Sequence, residues 1–118
     1  MDKLKIAVIG DKQFDDYPKM KSVLDSFIHI HKGKTISMAS NDEANPLAKK
    51  YASENGIDFE CLPLDKDRFG AVASIVRNKE MVASADRTIV FWRGNPGTTQ
   101  QAIEDTEKAG LAAYVVEV

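Results

Sequence analysis

The chain has 118 residues, 43% of them hydrophobic and 29% charged, which supports one packed domain over 1–118 and leaves no length for a second. A net charge of −2 and a pI near 5.7 supply no basic field to attract nucleic acid. The lone Cys61 excludes an intrachain disulfide, no apolar run reaches membrane length, and Met-Asp-Lys-Leu-Lys leads straight into a strand. A cytoplasmic location with no membrane partner is therefore the expectation.

Residues 4–9, Leu-Lys-Ile-Ala-Val-Ile, read as a buried first strand closing at Gly10. Met20, Val23, Leu24, Phe27 and Ile28 then recur at helical spacing, with Asp15, Asp16 and Pro18 suited to the helix start. A second strand, Thr35 to Met38, passes through the polar loop Ser40-Asn41-Asp42 into a helix with the face Ala44, Leu47, Ala48, Tyr51 and Ala52. Asn55-Gly56 ends that helix. Residues 57–62 form a third strand, 68–84 a third helix, 88–92 a fourth strand, 97–109 a fourth helix, and Ala112 to Val116 the last strand.

Five short apolar strands separated by four helices call for a parallel sheet, because parallel neighbours need crossovers and crossovers are right-handed. The predicted fold is α/β, a Rossmann-like three-layer sandwich with strand order 3-2-1-4-5. In that order the winding direction reverses between strands 1 and 4, and ligands of such sheets bind there, at the strands' carboxyl ends. The loops meeting at that point are Gly10-Asp11-Lys12 and Arg93-Gly94-Asn95-Pro96-Gly97, with Ser40-Asn41 alongside.

The segment from Phe91 to Thr99 is the most informative. A strand runs into a glycine-rich turn and a helix begins at once, so glycines permit close approach and helical N–H groups face an anion. Gly97, Thr98 and Thr99 would contact the ligand, Arg77 or Arg93 would add charge, Lys12 would neutralise phosphate, and Asn78 or Asn95 would read a ribose or base edge. Arg77 and Asn78 lie on a helix with apolar residues on more than one face, which suits ligand contact, subunit contact or both. A homodimer or higher homo-oligomer through residues 69–82 is expected, since Phe69, Val72, Ala73, Val76, Ile75, Met81 and Val82 exceed what one sheet face covers. Trp92 is read as packing in the core, and Cys61 as an inert core residue. His29 and His31 lack the neighbours of a metal site, so no metal is called for.

Gly10-Asp11-Lys12-Gln13-Phe14-Asp15-Asp16-Tyr17, Arg77-Asn78-Lys79-Glu80-Met81 and Phe91-Trp92-Arg93-Gly94 with Gly97-Thr98 together resemble the YspA-type branch of the SLOG superfamily. That superfamily also holds LOG-type nucleotide phosphoribohydrolases, molybdenum-cofactor carrier proteins and DprA-type DNA-processing proteins. The resemblance covers nearly the whole chain and implies a Rossmann-like fold that binds nucleotides or nucleotide-derived ligands such as ADP-ribose.

Two departures change what it implies. The glycine loop that this branch usually carries after the second strand is replaced here by Ala39-Ser40-Asn41-Asp42-Glu43-Ala44-Asn45. The Gly-Thr-x-x-Glu of LOG-type hydrolases ends here in Gln101, and an amide cannot shuttle a proton as a carboxylate does. The leading expectation is a sensor, carrier or sequestering protein for a nucleotide-derived small molecule, without a cofactor. Its ligand would touch Gly10, Asp11, Lys12, Ser40, Asn41, Arg77, Asn78, Arg93, Gly94, Asn95, Gly97, Thr98 and Thr99. Alternatives are a nucleotide N-glycosidic or phosphoester hydrolase whose carboxylate the sequence does not single out, Asp16 and Glu104 being the nearest candidates, a DprA-type nucleic-acid partner, which the acidic pI disfavours, and an oligomeric interaction module that has lost binding.

Overall fold

The computed structural model describes residues 3–11, 14–40, 45–62, 64–94, 96–111 and 113–118, the side chains of Asn45 and Thr98 excepted. The elements run β1 (Lys3–Gly10), α1 (Tyr17–Ile30), β2 (Thr35–Ser40), α2 (Asn45–Glu54), β3 (Asp58–Cys61), α3 (Lys66–Phe69), α4 (Ala73–Ser84), β4 (Arg87–Trp92), α5 (Thr98–Lys108) and β5 (Ala113–Glu117). All strand pairings are parallel and the order is β3-β2-β1-β4-β5, the order expected from the sequence.

Strand alternation divides the core in two. Leu4, Ile6 and Val8 of β1 join Met38, Ile89 and Phe91 on one face, closed by Met20 and Leu24 of α1 and by Ala48 and Tyr51 of α2. Ala7 and Ile9 join Ala39 and Val90 on the other face, closed by Met81 and Val82 of α4 and by Ala102 of α5. The faces follow from winding. Crossovers stepping one way from β1 place α1 and α2 on one side, and those stepping back place α4 and α5 on the other.

Several sequence expectations need correction. The helix expected over 68–84 is two helices joined by a single 3-10 turn, Gly70–Val72. Gly70 has φ of 55°, a conformation that leaves the right-handed helix, so continuous helix cannot cross it. Ser40 belongs to β2, pairing with Val8 and Cys61, and is fully buried. Cys61 is exposed, contrary to its reading as core: β3 is an edge strand that alternates with the acids Asp58 and Glu60, so it never had two buried faces. Ala44 and Ala112, read as part of α2's face and of β5, lie outside the described residues.

Asp16 caps α1, its Oδ1 accepting the Lys19 N–H at 3.1 Å, with Pro18 in the first turn. At the other end His31 rests against the Phe27 ring, 4.7 Å between centroids. A polar seam joins α1 to α2. The Tyr51 hydroxyl donates to Asp25 Oδ1 at 2.7 Å, the Lys21 ammonium donates to Asp25 Oδ2 at 2.8 Å, and the Tyr17 hydroxyl donates to the Glu54 carboxylate. Lys50 lies over the Tyr17 ring, 4.3 Å from its centroid.

Burial, then the hydrogen bond to Asp25, pushes the Tyr51 hydroxyl well above the usual phenol range. Desolvation and then Glu54 push Tyr17 up to about 12. The folded chain therefore holds these protons more tightly than the unfolded one. Their stabilising contribution is complete below the ordinary phenol value of 10.0 and is lost as pH climbs through the raised values. Replacing Tyr51→Phe should cost about 1–2 kcal/mol at neutral pH, the worth of one hydrogen bond to a half-exposed carboxylate. It should also flatten the loss of stability above pH 10.0, as read by denaturant titrations at successive pH values.

Candidate functional site

β1 and β4 are adjacent, and their carboxyl ends are tied together. Gly10 lies opposite Phe91 in the register. The Asp11 N–H donates to the Phe91 carbonyl at 3.0 Å, and the Arg93 N–H donates to Asp11 Oδ2 at 2.7 Å. Phe14 stacks on Phe91, 4.8 Å between centroids and 14° between planes. Thus the structure brings Gly10, Asp11, Arg93 and Gly94 to one place, the point where the winding direction reverses.

A cleft of about 390 Å³ opens there on the α1 face, lined by Phe14, Asp15, Asp16, Lys19, Arg93, Glu117 and Val118. Of these, sequence reasoning named only Arg93 as a ligand contact. Asp15 and Lys19 were findable as neighbours of the Asp16 cap. Glu117 and Val118 were not, because they enter only once β5 lies beside β4, where the Val118 N–H donates to the Trp92 carbonyl at 3.0 Å. Two cations face three carboxylates in this cleft, so it offers acceptors for hydroxyls as well as partners for an anion.

The glycine turn after β4 stays open. A Cβ placed on Gly94 or Gly97 would meet nothing within 4 Å. Gly97 has φ of 150°, disfavoured for residues with a Cβ, and as the N-cap residue of α5 it brings no side-chain cap to the helix. The N-cap residue itself therefore satisfies none of the first-turn amides of α5. Thr99 is buried just inside the helix, and Trp92 packs half-buried against the second core cluster.

Other expected contacts sit elsewhere. Arg77 and Asn78 are both buried on α4, with Arg77 Nε donating to Asn78 Oδ1 at 3.3 Å, so they pack within the chain. Arg77 lines a separate cleft of about 220 Å³ with Leu62, Asp65, Arg68, Phe69 and Glu80, beyond the end of β3. Ser40 ends β2 with a buried Oγ that has no hydrogen-bond partner among the described residues, a cost of about 1–3 kcal/mol. Lys12, Asn41 and Asn95 lie outside the described residues, as does the side chain of Thr98. Gln101 is half-buried, and its Nε2 donates to Asp105 Oδ1 at 3.0 Å, one turn further along α5. Asp16 is occupied as a helix cap and Glu104 is exposed on α5. Among the described residues no three His, Cys, Asp or Glu side chains form a metal-holding group.

No protein-family model matches this chain, and no curated protein matches it. Among solved structures it is similar to the C-terminal domain of a hydrogenase from Pyrococcus furiosus, at 19% sequence identity. The match covers 98% of this chain and 94% of that one, with a TM-score of 0.51. At that identity the likeness shows a shared fold and nothing about ligand. No helix among the described residues is long and apolar enough to cross a membrane.

The Asp11 carboxylate is the strut of the candidate site. In Asp11→Ala the Arg93 amide should exchange with deuterium faster by about fivefold, reflecting a hydrogen bond worth of order 1 kcal/mol at an exposed position. Unchanged exchange would mean that the two loops are held by something else.

Proposed function

We propose that this protein binds a nucleotide-derived anion, with ADP-ribose-like molecules included, at the carboxyl edge of its sheet. The observation that carries the reading is the free space beside Gly94 and Gly97, with glycine as the N-cap residue of α5, next to the tied ends of β1 and β4. In this reading phosphate oxygens accept from the first amides of α5, and Arg93 and Lys19 offset the charge. Ribose hydroxyls donate to Asp15, Asp16 or Glu117, the carboxylates lining the adjoining cleft. The resemblance to YspA-type SLOG proteins points the same way.

Binding without turnover is part of the proposal. The position that carries the hydrolase glutamate in the resembled family is Gln101, whose amide is engaged by Asp105. The substitution Gln101→Glu would set two carboxylates about one hydrogen-bond length apart, which raises the affinity of the pair for a proton. Self-association through α4 is a second element. Val72 is 49% exposed beside the half-buried Phe69, Ile75 and Val76, while Ala73, Met81 and Val82 are consumed by the chain's own core.

Calorimetry against a panel of nucleotides and ADP-ribose tests the first element. Arg93→Ala should weaken binding by about 1.5–3 kcal/mol and leave the fold intact. Gly97→Val should also weaken it, because a branched side chain both strains φ of 150° and fills the approach to the helix end. Chromatography of the same mixtures should find no released base, and rapid hydrolysis would overturn the binding-only reading. Light scattering at tens of micromolar protein should show a dimer that Val72→Asp reduces to monomer.

A further inference from the structure

A groove of about 410 Å³ runs between α4 and α5, apart from the carboxyl-edge site, lined by Lys79, Val82, Ala83, Gln101, Asp105, Lys108 and Ala109. Its defining member is Asp105, a carboxylate only 9% exposed. One oxygen, Oδ1, accepts from Gln101 Nε2 at 3.0 Å. The other, Oδ2, is shut off from bulk water and has no hydrogen-bond partner among the described residues. A buried carboxylate oxygen without a donor is costly, so a donor from the groove that meets Oδ2 as the side chain turns towards it gains more there than on open surface.

The groove also limits what that donor belongs to. Gln101 spends an N–H on Asp105 and keeps its carbonyl oxygen, so Gln101 and Asp105 together present acceptors one helical turn apart. A cationic nitrogen group fits them. Lys79 from α4 and Lys108 from α5 stand exposed at the edges, and they repel a ligand that is only cationic while attracting a carboxylate. Between acid and lysines lie Val82, Ala83 and Ala109, which suit a short aliphatic stem.

We infer that the α4–α5 groove is a second ligand site, for a small zwitterion whose ammonium or guanidinium is separated from a carboxylate by an aliphatic chain, as in a basic amino acid. The cationic end donates to Asp105 and Gln101, and the carboxylate lies between Lys79 and Lys108. The site does not depend on the nucleotide reading, since it shares no residue with the carboxyl-edge cleft.

The probe is L-arginine, titrated into nitrogen-15-labelled protein and followed by amide chemical shifts. Saturable shifts are expected at 79–83 and 101–109, with Asp11, Arg93 and Gly94 unmoved. Agmatine, which lacks the carboxylate, should bind more weakly, and Asp105→Asn should weaken arginine by about tenfold, the scale of one charge-assisted hydrogen bond. The double variant Lys79→Ala, Lys108→Ala should bring arginine down to the agmatine level. No saturable shift at tens of millimolar arginine overturns the inference in the unmodified protein alone. So do shifts confined to the carboxyl edge, equal affinity for agmatine, or a Lys108→Ala protein that loses stability without any change in arginine binding, which would show Lys108 to be the internal partner of Asp105.

Discussion

The hydrogen-bonded pairing of β1 with β2 on one side and β4 on the other is the constraint on which this molecule rests. Ile6, Ala7, Val8 and Ile9 have no exposed surface, a condition that requires apolar side chains pointing both ways and a helical layer on each face. Right-handed crossovers then leave a single solution for where the helices go. The same centrality produces the candidate edge: two chain segments leave neighbouring strand ends in opposite directions, and the gap between them is bridged by Asp11 reaching the Arg93 amide.

Fold was largely legible in the sequence because its signals are local and repeated. Each strand is a short apolar run, each helix has a periodic face, and the alternation itself calls for a parallel sheet with helices on both faces. Where legibility failed, the cause was tertiary. Residues 57–62 look apolar enough for a core strand, yet an edge position leaves Cys61 facing outward. Apolar residues flank Gly70 on both sides and hide a helix break that depends on one backbone angle.

The candidate site was legible in part. Glycine-rich turn, strand end and helix start are contiguous in sequence, so Arg93, Gly94 and Gly97 were found together. Arg77 was also conspicuous, but motif spacing does not say towards which end of a helix face a side chain leans, and it lies by β3's end. Glu117 was invisible for the opposite reason. It is far from the motif in sequence and comes near Arg93 only through the β4–β5 ladder. Asp105 gave no signal at all, being one of many acids on an amphipathic helix until burial singles it out.

Trp92 is the chain's one tryptophan, and its position at the end of β4 has a practical side. It is half-buried, next in sequence to Arg93, and its carbonyl accepts the Val118 N–H. An indole placed there reports polarity at the carboxyl edge and the packing of the second core cluster on which it rests. Its emission colour and quenching by iodide thus form a built-in optical gauge, present in the native chain without any label, of whether that edge is wet, filled or pulled apart.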